Sequence, residues 1–197
     1  MGKKGDLTRM RILEAATYCF AKYGDRGTTF QRIADRSGVS QPYISKVFGS
    51  RDEIFPAVLE SFMSKAREKT ESQLDTKVLA SERLHAYFKI SYEIFWQSPE
   101  VARIYNTLYY LSSFEKRYRD ANSAIKETAV KRILSILEIG ILSGEFLVPN
   151  PHLTAKIIHN NLIGLLLSMT TEIPKYDGGS LIDELYRQTL KALWRKE

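Results

Sequence analysis

Apolar residues recur along the whole chain at the three- and four-residue spacing of amphipathic helices. The pattern predicts helices over about residues 7–23, 28–37, 40–48 and 50–74, each separated from the next by a glycine-containing break. Further helices are predicted over about 81–97, 99–111, 113–143, 152–172 and 180–195. No stretch alternates as a strand does, so we predict an all-α protein of about nine helices.

Capping residues and prolines predict where some of these helices begin and end. Two capping boxes, Thr28 with Gln31 and Ser50 with Glu53, are predicted to open the second and fourth helices. Pro56 is expected to lie two turns inside the fourth helix and to kink it, because proline removes a backbone donor. A linker at 149–151 and a loop at 174–179 separate the last two helices from their neighbours.

The positive charge of the chain is concentrated at its N-terminal end. The net charge is +6, and the first fifty residues hold nine Lys and Arg against four Asp and Glu. The other 147 residues are therefore almost neutral. A basic end of this kind favours a polyanionic partner such as DNA, although a solvated basic face has the same composition.

The second and third helices are short and are joined by a tight turn at Gly38, the pattern of a helix-turn-helix motif over about residues 29–48. The stretch around them carries, at ordered spacing, Ala15-Ala16, Phe20, Gly24, Thr29, Ile33-Ala34, Gly38-Val39-Ser40, Phe48, Ser50-Arg51, Ile54 and Phe55. In these residues the chain resembles the TetR (tetracycline-repressor) family of bacterial transcription regulators. The resemblance implies an N-terminal three-helix DNA-binding domain at residues 1–50 and a helical-bundle domain for ligand binding and dimerisation at 51–197, in a homodimer.

The outer side of the third helix supplies the candidate base-reading residues. The helical pattern places Gln41, Pro42, Tyr43, Ser45 and Lys46 there. Gln pairs with adenine edges, Ser donates or accepts, Tyr and Pro contact thymine methyl groups, and Lys suits phosphate or guanine. A solvated helix face is the simpler alternative, but an exposed aromatic residue near a lysine in a basic domain favours contact with DNA.

The resemblance adds contacts to the DNA backbone. It implies that Thr29, Gln31 and Arg32 contact phosphates at the start of the second helix, where the N–H groups of the helix start assist. It also implies a phosphate contact at Arg51, where the family usually has Lys. Ser45 stands where many members have Tyr, so the bases read are expected to differ.

Aromatic residues cluster between positions 87 and 118, which hold ten of the 22 in the chain. Phe88, Tyr92 and Trp96 lie on one predicted helical stripe, and Tyr105 and Tyr109 lie on another. Such stripes form either plain core or the lining of an apolar cavity. Because members of the resembled family usually hold a small effector here, these five residues are the candidate ligand contacts.

The last two predicted helices are apolar around most of their circumference, so another surface must cover them. Leu162 and Leu166 on the first, with Leu185 and Leu193 on the second, are the expected contacts of a homodimer. Two copies of the helix pair would then form a four-helix bundle. Burial within one chain is the alternative.

The sequence does not indicate catalytic or metal chemistry. His85, His152 and His159 are scattered, and no nucleophile–base pair or phosphate-binding glycine loop accompanies them. We expect no enzyme activity, no metal and no cofactor. A single cysteine, no secretory leader and no apolar stretch long enough to cross a bilayer predict a cytoplasmic protein without a membrane partner.

Together these features predict a ligand-responsive, sequence-specific DNA-binding transcription regulator. The expected mode is repression at a palindromic operator, with release by a small apolar or aromatic molecule. Two alternatives stay open: a helical protein that binds a hydrophobic ligand without specific DNA readout, and a nucleic-acid binder that ignores sequence. Gln41 and Tyr43 favour the regulator, because phosphate binding alone requires only cations.

Overall fold

A computed structural model describes residues 3–168 and 177–194 of the chain. These residues form nine α-helices and no β-strand, which confirms the all-α prediction. The helices are α1 (Lys3–Gly27), α2 (Phe30–Ser37), α3 (Gln41–Phe48), α4 (Ile54–Leu74), α5 (Ala80–Gln97), α6 (Pro99–Leu111), α7 (Lys116–Leu142), α8 (Pro151–Ser168) and α9 (Gly178–Leu193). A 3₁₀ turn at Arg51–Glu53 lies between α3 and α4.

The chain divides into two compact units, each made of two segments. Unit 1 comprises Met1–Lys65 and Pro99–Arg119, and unit 2 comprises Ala66–Ser98 and Asp120–Glu197. Two helices, α4 and α7, begin in unit 1 and have their later residues in unit 2. Unit 1 therefore contains α6 and the first turn of α7 in addition to the predicted DNA-binding helices. The functional boundary at residue 50 stays a prediction.

The core of unit 1 holds α1, α2 and α3 together. In it α1 packs against α2 and α6, and α2 packs against α3. The ring of Phe55 meets the ring of Phe20 edge-on with centroids 4.9 Å apart, and it meets Tyr118 in the same way at 5.3 Å. The buried aliphatic side chains around them include Ile12, Ile33, Ile44, Ile54 and Leu108.

The junction between α1 and α2 differs by one residue from the predicted capping box. Gly24 interrupts the regular helix of α1 with φ of +69°, a conformation that favours glycine. Thr28 is buried and donates from its hydroxyl to the carbonyl of Gly24 at 2.8 Å, so it is not the cap. Thr29 is the N-cap, and its hydroxyl accepts from the backbone N–H of Arg32 at 3.3 Å.

Two predictions for the start of the fourth helix are wrong. The side chain of Ser50 makes no capping hydrogen bond, and the backbone forms a 3₁₀ turn after it. The α-helix begins only at Ile54, so Pro56 lies in its first turn, where the missing N–H has no intrahelical partner to lose. The reason for expecting a kink at Pro56 is therefore absent.

Unit 2 is a bundle in which α5 packs against α8 and α9, and α8 packs against α9. Glu145, in the turn after α7, accepts hydrogen bonds of 2.9 Å from the backbone N–H groups of Ala80 and Ser81 and so caps the start of α5. Asp177 caps α9 through Ser180. The predicted helix end near 172 and the first half of the predicted loop at 174–179 lie outside the described residues.

Candidate nucleic-acid interface and effector region

The turn between α2 and α3 has the conformation that a helix-turn-helix motif requires. Gly38 ends α2 with φ of +66°, and its N–H donates to the carbonyl of Ala34 at 2.9 Å. Arg11 of α1 donates to the neighbouring Ser37 carbonyl at 2.6 Å and so ties this turn to α1. Ile44 and Phe48 are both buried, so the side of α3 that carries them faces the core. The opposite side of α3 is therefore presented outward.

The predicted base-reading residues lie on this outward side. Pro42, Tyr43, Ser45 and Lys46 are all exposed, with Tyr43 at 37%. Ser45 also donates from its hydroxyl to the carbonyl of Gly49 at 3.2 Å. Gly49 ends α3. An exposed tyrosine beside a lysine and a serine offers apolar contact, charge and hydrogen bonding on one short helix face.

Gln41 is the member of this set whose side chain contacts the other helix of the motif, α2. It is half-buried, and its side-chain amide donates to the side-chain carbonyl of Gln31 in α2. Gln31 donates in turn to Asp35 at 2.5 Å. The start of α3 and the first turn of α2 are thus connected by side chains, which orients the amide of Gln41 before any DNA binds.

Basic and aromatic side chains interleave along α1 and α2, a feature that the sequence reasoning missed. The guanidinium of Arg32 lies 4.2 Å from the ring centroid of Tyr23, and that of Arg36 lies 4.0 Å from Tyr18. Lys22 lies over both rings and donates to the Tyr18 hydroxyl at 3.1 Å, a hydrogen bond that raises the pKa of Lys22. These five residues are called the cation–aromatic cluster below. The four-residue spacing of Tyr18 and Lys22 was the available signal.

Arg51 does not have the free guanidinium that its predicted phosphate contact assumes. Its Nε donates to the carbonyl of Thr28 at 3.1 Å, and its Nη2 donates to Oδ1 of Asp25 at 3.0 Å. Its Nη1 donates to Asp52 at 3.0 Å, and this hydrogen bond holds the pKa of Asp52 below its ordinary value. Arg51 therefore links groups within unit 1, and its contact with a DNA phosphate stays a prediction.

The five predicted ligand residues are divided between the two compact units. Phe88, Tyr92 and Trp96 belong to unit 2, whereas Tyr105 and Tyr109 of α6 belong to unit 1. Phe88 and Tyr105 are buried, while Trp96 and Tyr109 are about half exposed. The ring of Tyr92 stacks on that of Trp96 with centroids 5.8 Å apart. The ligand role of these residues stays a prediction.

Three of the four predicted dimer contacts are core residues of a single chain. Leu162, Leu166 and Leu193 are each 2–3% exposed and lie in the hydrophobic core of unit 2. They have almost no surface left for a second copy to cover, so the alternative of burial within one chain is correct for them. Leu185 is half-buried and stays a candidate. The exposed apolar residues of α8 are Leu153 and Ile157, each just over half exposed.

The histidines have separate structural surroundings. His85 lies 3.0 Å from Asp183 and stacks on Tyr186, and His159 is buried in α8. Burial, with the nearby charge of Lys126, lowers the pKa of His159 to about 4. Within the described residues, no three His, Cys, Asp or Glu side chains come close enough to hold a metal ion.

Among the described residues, no helix is both long enough and apolar enough to pass through a bilayer.

Residues 12–58 match the family model described as bacterial regulatory proteins, tetR family. The matched range contains all of α2 and α3, the turn between them and the first residues of α4. It therefore coincides with the outward-facing helix and the core that supports it.

Relatives with curated names are similar over more of the chain. KstR2, an HTH-type transcriptional repressor from Rhodococcus jostii, is 30% identical over 144 residues, which cover 66% of this chain and 68% of KstR2. The HTH-type transcriptional regulator YhgD of Bacillus subtilis is 25% identical over 192 residues, which cover 92% of this chain and 94% of YhgD.

Solved structures share the whole fold. The transcriptional regulator FadR from Bacillus subtilis, crystallised in complex with stearoyl-CoA, superposes with a TM-score of 0.84 at 21% identity. The superposition covers 92% of this chain and 97% of FadR.

Proposed function

The chain belongs to the TetR family and is a DNA-binding transcription regulator, and from this we propose that it is a homodimeric repressor that an apolar effector releases from a palindromic operator. The main support for the proposal is that one side of α3 is exposed. Pro42, Tyr43, Ser45 and Lys46 are exposed there, while Ile44 on the opposite side is fully buried. A short helix held in this way is the element that enters a major groove.

Base reading is assigned to the residues that can reach base edges. Gln41 suits an adenine, because its amide offers one donor and one acceptor in the required geometry. Tyr43 offers an apolar ring to a thymine methyl group, and Lys46 offers a cation to guanine or to a nearby phosphate. Ser45 contributes a hydroxyl that both donates and accepts.

Backbone contacts are assigned to the start of α2 and to the cation–aromatic cluster. Thr29, Gln31 and Arg32 stand at the first turn of α2, where the helix start favours an anion. Lys22 and Arg36 extend the same positive surface along α1 and α2. Because the aromatic rings hold these cations in place, the protein loses less side-chain entropy when phosphates bind them.

The dimer contact is proposed for the exposed side of α8. Leu153 and Ile157 lie one turn apart on that side, and Gly164 has no atom within 4 Å of the position a Cβ would occupy. A glycine with open space on a helix surface lets a second helix approach closely. Leu185 of α9 is the predicted leucine that still has surface to bury. In a two-fold dimer the half-sites would be one helical turn apart, about 34–36 Å.

The effector is proposed to be a molecule with a long apolar part. The support is the aromatic set of Phe88, Tyr92 and Trp96 in unit 2, together with the stearoyl-CoA that is bound to the FadR structure sharing this fold. Such an effector needs to couple to DNA binding by only about 1–3 kcal/mol to change the affinity roughly tenfold. The protein would act in the cytoplasm, where both the DNA and the effector are found.

The test is selection of duplexes from a random library by the purified full chain at near-physiological salt. We expect a palindromic motif to be enriched, and we expect the protein–DNA complex to contain two copies of the chain. Stearoyl-CoA should then weaken binding to the selected duplex. A folded protein that enriches no motif but binds stearoyl-CoA would instead support the alternative of a ligand-binding protein without DNA readout.

A further inference from the structure

A buried tyrosine from the start of α7 contacts the acid that holds Arg51. The hydroxyl of Tyr118 donates to Oδ1 of Asp25 at 3.0 Å, and the same oxygen accepts from Nη2 of Arg51 at 3.0 Å. Tyr118 is 1% exposed, and its ring packs edge-on against Phe55. Burial and the adjacent carboxylate raise the pKa of this hydroxyl, so it remains a donor at any physiological pH.

A second contact runs beside the first. The Nη1 of Arg117 lies 3.0 Å from Oδ2 of Asp52, while Oδ1 of Asp52 accepts from Arg51. The guanidinium of Arg117 also lies 4.5 Å from the ring centroid of Tyr118. Two bridges therefore end at Arg51. One connects it to Tyr118 through Asp25, and the other connects it to Arg117 through Asp52. All five residues belong to unit 1.

These contacts link two parts of the chain that are far apart in sequence, the turn after α3 and the start of α7. Arg51 opens the 3₁₀ turn only three residues after Phe48, the last residue of the recognition helix α3. Arg117 and Tyr118 lie in the first turn of α7, whose residues from Asp120 onward belong to unit 2. The contacts thus join the 3₁₀ turn that follows α3 to a helix that continues into the other compact unit.

We propose that Tyr118 and Arg117 are positioning residues for DNA binding, which hold Arg51 and the end of α3 through Asp25 and Asp52. By this inference α7, in addition to α4, connects the DNA-binding helices to the rest of the chain. The inference rests on the proposed function, because it assigns these residues a role in DNA affinity. Arg51 acts through the chain and does not itself need to touch a phosphate.

The decisive variant is Tyr118→Phe in the full-length protein, which removes the hydroxyl and keeps the ring. Its control is Tyr110→Phe, which removes an exposed hydroxyl from α6. Affinities are measured well below the unfolding temperature for the selected duplex and for a random duplex. We expect Tyr118→Phe to weaken binding to the selected duplex by roughly threefold to tenfold and Tyr110→Phe to leave it unchanged.

A double-mutant cycle separates positioning from simple stability. Tyr118→Phe and Arg51→Lys are combined, and the loss in the double variant should be at least about threefold smaller than the product of the single losses. Multiplicative losses would mean that the two residues act independently and would overturn the proposal. Arg117→Gln, at an exposed position, serves in the same cycle if Tyr118→Phe folds poorly.

A readout without DNA keeps the inference distinct from the proposed function. In the ¹⁵N NMR spectrum of the free protein, the Arg51 side chain should lose order in Tyr118→Phe and keep it in Tyr110→Phe. If the Arg51 side chain loses order in Tyr118→Phe while the DNA affinity is unchanged, the positioning role is contradicted and the proposed function is not. Failure of the intact protein to select any motif would contradict the proposed function, and this inference with it.

Discussion

Gln41, the first residue of the recognition helix, donates its side-chain amide to the side-chain carbonyl of Gln31 in α2. Gln31 in turn donates to Asp35 at 2.5 Å. Because a base-reading amide must present its donor and acceptor in a set order, this chain of hydrogen bonds prepares Gln41 for its base.

Gln31→Ala should therefore relax specificity at the base pair that Gln41 reads. We expect a loss of roughly twofold to tenfold in affinity for the selected duplex, the value of one or two hydrogen bonds. The measurement is a competition assay with duplexes altered one base pair at a time. Asp35→Asn keeps an acceptor for Gln31 and is the matched control. An equal loss of affinity for all altered duplexes would mean that Gln31 contacts only the DNA backbone and does not position Gln41.

The cation–aromatic cluster should contribute affinity without specificity. Lys22→Ala and Arg36→Ala are each expected to weaken the selected and the random duplex by the same factor. Each should also reduce the slope of log affinity against log salt by about one, because one fewer counterion is released. Lys131→Ala, in the part of α7 that belongs to unit 2, is the control. An unchanged salt slope in both cluster variants would mean that neither Lys22 nor Arg36 contacts a DNA phosphate.

Buried His159 predicts a loss of stability in acid. Burial lowers its pKa in the folded protein from 6.5 to about 4, so between these pH values the unfolded chain binds more protons. The free energy of unfolding should fall as the pH drops below 6.5, and the loss from this group should approach about 3 kcal/mol near pH 4. Urea unfolding across this range measures it.

Matched variants isolate the contribution of this histidine. His159→Gln should have a shallower dependence of unfolding free energy on pH than the unmodified protein. His152→Gln, at an exposed position of α8, should keep the original dependence. Identical pH profiles for His159→Gln and the unmodified protein would show that His159 is protonated alike in both states.

Gly140 leaves room for the ring of Phe146, which follows the turn after α7. A Cβ at residue 140 would lie 2.1 Å from Cδ2 of that ring, and the Phe146 N–H donates to the Gly140 carbonyl at 2.9 Å. Gly140→Ala should therefore lower the free energy of unfolding by about 1–3 kcal/mol through overpacking. Adding Phe146→Leu should recover part of the loss in thermal unfolding. No recovery would mean that the backbone, and not the ring, is strained.

The helices and the outward face of α3 could be predicted because both depend on local periodicity. The spacing of Ile33, Ile44 and Phe48 determines which sides of α2 and α3 face the core, and Tyr43 then faces outward. Spacing alone does not determine which residue caps α2, because Thr28 and Thr29 are adjacent and both carry a hydroxyl that can cap a helix. The sequence could not show that the hydroxyl of Thr28 would turn back to Gly24.

Contacts between distant residues could not be predicted from spacing. Arg51 follows Asp25 by 26 positions, and Tyr118 follows Asp25 by 93, so only the tertiary packing of unit 1 brings these groups together. The leucines of α8 and α9 illustrate a second limit. A helix that is apolar on most sides must be covered, but Leu162 has the same pattern whether its own chain or another copy covers it.

The central claim is that the outward face of α3 reads the DNA sequence, and Tyr43→Ala tests it most directly. The ratio of the affinities for the selected and the random duplex is measured for this variant, for Tyr110→Ala on α6 and for the unmodified protein. We predict that the ratio falls about tenfold or more in Tyr43→Ala and stays constant in Tyr110→Ala. An equal loss on both duplexes in Tyr43→Ala would contradict base reading by α3.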